Sequence, residues 1–358
     1  MKSRAAILVE LKQPLVVDEI ELPTLGVGQV LVKVLCSGIC GSQLGEIDGA
    51  KGPDRFLPHL LGHEGGGIVL ETGPGVKAVR QDDRVVLHWR KGVGIEADPP
   101  KYRWDGKTVN AGWVTTFNEY AVVSENRLTA VPADVDPEIA ALMGCAVTTG
   151  LGVIVNNAKL SLGESIVVLG TGGVGLNVVQ GAALTSAHPI VAVDLVEERL
   201  ALAREVGATH TINARTTVVR DAIAGILGTR GADVVVETTG NTGMIELAYE
   251  VAGPQGRVVL VGVPRKGQNI SIYSLPLHFG KVLTGSHGGE ANPTEDIPRY
   301  VRLTKAGVLA AGRLITNRYA LGNINGALDA MRAGTVAGRC MIRMHDGVGA
   351  AHPGRSVP

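Results

Sequence analysis

Aromatic side chains are scarce in this sequence of 358 residues: three Trp, six Tyr and three Phe amount to 3%. That scarcity, beside 49 Gly, about twice the usual share, argues against a core built on large rings. It favours aliphatic parallel sheet with many tight turns. An excess of charge is also missing, since 34 Lys and Arg face 34 Asp and Glu. No electrostatic footprint for nucleic acid or an anionic membrane follows from such a balance. Cysteine is limited to Cys36, Cys40, Cys145 and Cys340. These are too few and too scattered for a disulfide framework, and a reducing compartment leaves them as free thiols or metal ligands. The uncharged span between Glu164 and Asp194 has membrane length, but its glycines, Asn177, Gln180 and His188 suit a strand–helix–strand unit better than a bilayer. The apolar run before Glu10 is too short for a signal peptide. The expectation is a cytoplasmic protein of two domains, each with its own core.

What is present begins with that span. An apolar run at 166–169 leads straight into Gly170-Thr-Gly172-Gly173-Val174-Gly175, and a second run at 190–193 ends in Asp194. Gly170 permits the tight turn, Gly172 lets backbone approach a pyrophosphate, and Gly175 allows close helix–strand packing, with the helix N-terminus facing the phosphates. A glycine fingerprint alone is weak evidence; flanked by two strands and closed by an acid it predicts dinucleotide binding. Asp194 can accept from both ribose hydroxyls and would repel a 2′-phosphate, which favours NAD(H) over NADP(H). Its alternative role is to cap a helix over 196–206.

Along the chain, the first 135 residues read as short strands at 5–11, 15–22, 29–36, 67–72, 83–88 and 118–123, separated by Gly, Pro and Asp, which predicts an antiparallel or barrel-like unit. After Pro137 a helical pattern over 147–156 opens alternating strands and helices as far as 261, the signature of a doubly wound α/β sheet. Helices near 297–306 and 324–333 and a strand at 340–344 follow, then a loose Gly/Ala/Pro-rich tail after Asp346. The final segment must return to the first domain, so the cleft between domains would hold the chemistry.

Three stretches supply candidate metal ligands: Cys36-Ser-Gly-Ile-Cys40-Gly-Ser42-Gln43, Leu61-Gly-His63-Glu64-Gly-Gly-Gly67 and Gly144-Cys145-Ala-Val-Thr-Thr149. Two thiolates and one imidazole would hold Zn²⁺ with its charge neutralised and a fourth position open, as in a catalytic site. By spacing alone, buried inert cysteines and an ordinary turn histidine explain the same residues.

The order and wording of these motifs resemble the zinc-containing medium-chain alcohol dehydrogenase family over essentially the whole chain. Asp83-Arg-Val, Phe117-Asn-Glu-Tyr120, Glu205-Val-Gly-Ala-Thr-His210, Gly256-Arg-Val-Val-Leu-Val-Gly-Val-Pro264 and Gly285-Ser-His-Gly-Gly289 agree with it. The resemblance implies a GroES-like, mostly β catalytic domain from 1–146 and 289–358 and a Rossmann NAD-binding domain over 147–288. It implies Cys40, His63 and Cys145 as catalytic zinc ligands, Glu64 as a neighbouring carboxylate, and Ser42 as the hydroxyl that takes the alcohol proton. Thr149, Val261 and Val263 would flank the nicotinamide, and Arg199 would lie along the adenosine. The implied reaction is zinc-assisted hydride transfer between an alcohol and NAD, in either direction.

Three departures qualify the resemblance. Gln43 stands where the family usually has an Asp on the ligand histidine. Gly45 stands where many relatives have a histidine ending the proton relay. Residues 89–112 lack the four cysteines of a structural zinc, so one catalytic zinc per chain is expected. The same lobe carries Trp89, Trp104 and Trp113 with Arg90, Lys91, Lys101, Arg103 and Lys107 nearby. Aromatic packing in place of the metal explains the lobe simply. Trp89 follows the strand end where the family's substrate pocket begins. Tryptophan faces stack on sugar rings and the basic residues could meet a phosphate or carboxylate, which suggests a polyol or sugar derivative. His59 and His287 are candidate pocket acid–base groups or satisfied loop histidines. Simple primary alcohols or thiol–aldehyde adducts are the rival substrates, and a non-catalytic dinucleotide-binding protein is the rival of another class. The resemblance further implies a small-molecule alcohol or carbonyl partner and a homodimer or homotetramer, with 282–288 as a pairing edge.

Overall fold

The computed structural model describes residues 1–345, so the Gly/Ala/Pro-rich tail lies outside the described residues. Six parallel strands form one sheet, in the spatial order His210–Asn213, Ile190–Asp194, Ile166–Leu169, Ala232–Glu237, Ala252–Leu260, Val282–Gly285. Counted along the chain this is the doubly wound order 3-2-1-4-5-6. Ile166 and Val168 face one apolar layer, Val167 and Leu169 the other. A strand covered by helices on both faces needs an uninterrupted apolar run, and 166–169 supplies one.

The rest of the chain is built on two further sheets. Five strands, His59–Leu60, Lys2–Leu8, Val16–Glu21, Tyr102–Trp104 and Lys107–Val109, form one. The other is centred on the long strand Gln29–Ile39, which pairs antiparallel with Glu64–Thr72, with Tyr120–Ser124 and with Arg339–Arg343. Cys340 lies opposite Ile39, so the C-terminal segment returns to the first sheet system. Within residues 1–135 the named strands pair antiparallel, as expected; in the C-terminal segment Ile315–Ala320 runs parallel to Arg339–Arg343, joined through the helix Ile324–Arg332. A parallel pair needs such a crossover, and the helix expected near 324–333 supplies it.

The bridge between the two systems is helical. Ala146–Gly152 continues as a wider π-type turn over Val153–Ala158 and stops at Lys159, whose φ of 48° is left-handed. Its residues are almost all buried, since it packs on the helix Gly173–Leu184 that follows the glycine turn. Among the described residues no single helix is long and apolar enough to cross a membrane.

Candidate active site

The glycine turn is closed by backbone contact. Gly170 has φ +89°, and a Cβ on Gly175 would stand 1.9 Å from the Gly170 carbonyl oxygen; only glycine fits either place. Around Gly172 there is open space, at the N-terminus of Gly173–Leu184. Asp194, at the end of the neighbouring strand, fastens this turn from below: its Oδ2 accepts from Thr171 N–H at 2.7 Å and from Thr171 Oγ1 at 3.1 Å. Its Oδ1 accepts from Leu195 and Val196 N–H. The following helix starts at Glu197 with Val196 as its N-cap, so Asp194 is not that helix's cap. Arg199 lies 3.7 Å from Asp194 and donates to the Val336 carbonyl.

Cys40, His63 and Cys145 come together. One ligand atom from each lies within 4.8 Å of the others. Cys40 precedes the helix Gly41–Ile47, His63 precedes the strand Glu64–Thr72, and Cys145 precedes the helix Ala146–Gly152. Two helix starts and one strand start therefore surround one point. The Cys145 thiol beside Cys40, followed by the His63 ring, holds the Cys40 thiol well below its ordinary pKa despite burial. Cys145 moves the opposite way because it shares its proton with Cys40 and is itself buried. The side chains of Thr149 and Trp89 also reach the Cys145 sulfur.

The donor set fits a metal. His63 Nε2 is buried and has no hydrogen-bond partner, which is costly unless an ion or ligand takes the lone pair. Gln43 occupies the other side of the ring: its Nε2 contacts His63 Nδ1, and its Oε1 accepts from Cys40 N–H at 2.8 Å. One buried amide therefore links two members of the trio.

A residue that the sequence did not single out joins the two halves. Arg339, at the start of the returning strand, forms a fully buried ion pair with Glu64, while a Cβ on Gly173 would stand 2.2 Å from its Cδ. The guanidinium thus spans from the carboxylate beside His63 to the glycine turn. Glu64 also accepts from Ala146 N–H at 3.4 Å.

Beside the trio lies a cavity of about 810 Å³, walled by His59, His63, Trp89, Arg90, Trp113 and His287 among others. Trp89 stands edge-on to His63, with centroids 6.5 Å apart, and to His287 at 4.9 Å. His59 Nε2–H donates to Asp54 Oδ2 at 2.8 Å, and its Nδ1 contacts the Leu60 carbonyl at 3.0 Å. Trp104 is elsewhere, bonded to Asp18 on the five-stranded sheet. Ser42 is exposed one residue into its helix, Thr149 is buried, Val261 is half-buried, and Val263 is 81% exposed. The lobe keeps one aromatic core residue, Tyr102, which is fully buried with Trp104 packed on the same cluster, while Trp113 is 44% exposed. Polar anchoring adds to it: Glu125 accepts from Lys77, Ala78 and Ile95 N–H, and buried Arg127 donates to the Trp89 carbonyl and to Glu96.

Comparison with known proteins agrees with this geometry. The alcohol dehydrogenase GroES-like domain family matches residues 26–133 and the zinc-binding dehydrogenase family matches residues 173–306. A protein named S-(hydroxymethyl)glutathione dehydrogenase from Synechocystis sp. is 32% identical over 362 residues, covering 93% of this chain and 98% of that one. Two crystal structures superpose closely. One, an alcohol dehydrogenase zinc-binding domain protein from Burkholderia ambifaria, has a TM-score of 0.89 at 29% identity, covering 96% of this chain and 99% of that one. The other, benzyl alcohol dehydrogenase from Acinetobacter calcoaceticus, has a TM-score of 0.87 at 29% identity, covering 96% and 100%.

Proposed function

Because this chain belongs to the zinc-type medium-chain alcohol dehydrogenase family, we propose that it oxidises a secondary alcohol, polyol or sugar derivative with NAD, using Cys40, His63 and Cys145 as zinc ligands. The observation that carries this reading is that one ligand atom from each of Cys40, His63 and Cys145 lies within 4.8 Å of the others, with His63 Nε2 buried and without a hydrogen-bond partner. Zinc in such a site supplies Lewis acidity, and NAD supplies the hydride acceptor.

The chain's own residues set up the rest. Gln43 fixes the His63 ring and the Cys40 backbone together, the kind of outer contact that orients a ligand. Arg339 neutralises Glu64 and lies under the turn that would hold the pyrophosphate. Trp89 closes the wall between His63 and His287. With Gly45 offering no side chain, exposed Ser42 would hand its proton to ribose and water or to another base. Residues 1–146 with 289–358 form the catalytic unit in this reading, and 147–288 the NAD unit. A second reading, a thiol–aldehyde adduct as substrate, is favoured by the name of the Synechocystis relative.

Metal analysis is expected to find about one zinc per chain; two or none overturns the assignment. Cys40→Ala should abolish NADH formation with every alcohol tested while NADH binding stays measurable by fluorescence. Turnover that survives in Cys40→Ala rules out a catalytic metal at this site.

A further inference from the structure

We propose that the substrate carries an anionic group, a carboxylate or a phosphate, which Arg90 reads beside Trp89; this rests on the dehydrogenase reading above. Arg90 lines the cavity next to Lys51, Lys91 and Arg127. Each of the other cations has an acid to answer it. Arg127 lies 3.0 Å from Glu96, Lys91 lies 3.6 Å from the same carboxylate, and Lys51 acts on Asp54, which also meets His59 at 2.8 Å.

Arg90 differs. Its partners are neutral acceptors: Nη1 donates to His287 Nδ1 and to the His287 carbonyl, both at 2.7 Å, and Nε donates to the Ala291 carbonyl at 3.4 Å. Among the described residues no carboxylate forms an ion pair with it. Because His287 Nδ1 accepts, the ring's proton sits on Nε2, which adds a second neutral donor beside the guanidinium. A half-buried guanidinium without counter-charge is unfavourable unless a ligand supplies it, and its planar fork matches carboxylate and phosphate oxygens.

Position selects the substrate's shape. The Arg90 guanidinium carbon stands 5.8 Å from the Trp89 ring centroid, and the His63 ring centroid lies 6.5 Å from that of Trp89. One indole thus neighbours both the anion reader and a metal ligand. A short hydroxylated carbon chain with an acidic end spans the two, whereas a long neutral alcohol leaves the charge unanswered.

Glycerol, glycerate and glycerol 3-phosphate differ at one end only and serve as probes. Titrated into the zinc-loaded protein saturated with NADH, which blocks the pyrophosphate site, at least one anion should quench tryptophan fluorescence with affinity roughly 10- to 100-fold above glycerol's. Glycerate and glycerol 3-phosphate distinguish a carboxylate from a phosphate source. In Arg90→Gln the ratio should fall to near one, and in His287→Gln, which removes the contact but keeps the charge, it should persist. No anion preference in the wild-type protein, or an unchanged ratio in Arg90→Gln, overturns the proposal. Thermal unfolding and NADH binding report whether each variant folds. Since no turnover is read, failure of the dehydrogenase reading shows separately, as absent zinc or absent NAD reduction.

Discussion

His88 illustrates how one residue holds a wall of the cavity in place. It is fully buried at the end of the strand Arg84–His88, where Nδ1–H donates to the Arg90 carbonyl at 2.7 Å and Nε2 accepts from Thr129 Oγ1 at 2.9 Å. Both nitrogens are used in the neutral form, so the ring fixes the corner carrying Trp89 and Arg90. Burial pushes its pKa down from 6.5 to about 4. The unfolded chain therefore binds a proton that the folded chain refuses between these values, and stability falls as pH drops from 6.5 towards 4. The lost stability is about 3 kcal/mol by pH 4. His88→Gln should flatten that part of the pH–stability curve in urea unfolding, after correction for its own baseline loss. An unchanged slope between pH 4 and 6.5 would remove His88 as the cause. Gln43 gives the complementary lesson, since a departure from the family's usual acid still contacts both Cys40 and His63.

At the level of elements, the lobe at 89–113 stands on charge and backbone as well as on the buried ring of Tyr102. Burial alone would raise the Glu125 pKa, yet N–H groups of Ile95, Ala78 and Lys77 overcome it and hold the carboxyl low. Glu125→Gln puts an amide donor against those donors, and each lost charged hydrogen bond is worth about 1.5–3 kcal/mol. A fall in melting temperature of several degrees is expected, together with faster proteolysis within 91–101; a variant melting with the wild type contradicts the role. This anchor was illegible in the sequence because three donors that meet Glu125 come from positions distant along the chain. Short strands escaped for another reason: His59–Leu60 has two residues and Tyr102–Trp104 three, too few for an alternating pattern. The glycine turn and its flanking strands were legible because their constraint is local. The trio Cys40, His63, Cys145 was legible only through the order of motifs, since no local pattern brings 40, 63 and 145 together. Arg339 was missed because a lone arginine at a strand end reads as solvated; only the returning strand opposite Ile39 shows it buried on Glu64.

For the whole molecule, the open question is what covers the last strand of the parallel sheet. Val282–Gly285 pairs with Ala252–Leu260 on one side and ends the order of strands on the other. Beside it, Tyr273 and Phe279 are each 71% exposed, and Leu275, Leu277 and Val282 are exposed as well. An unpaired edge next to a contiguous apolar patch is a template for another chain. A second copy of the same edge, related by a two-fold axis, would continue the sheet antiparallel and bury both patches, the self-complementary arrangement that symmetry favours. A monomer here weighs 37.2 kDa. Light scattering after gel filtration should give about twice that mass, or four times if a further interface exists. Phe279→Asp places a charge at the centre of the patch and should shift the mass to that of one chain, with zinc content unchanged because the metal trio lies in the other sheet system. A wild-type protein that is monomeric at micromolar concentration, or a Phe279→Asp variant that stays assembled, would show that this edge is not the pairing surface.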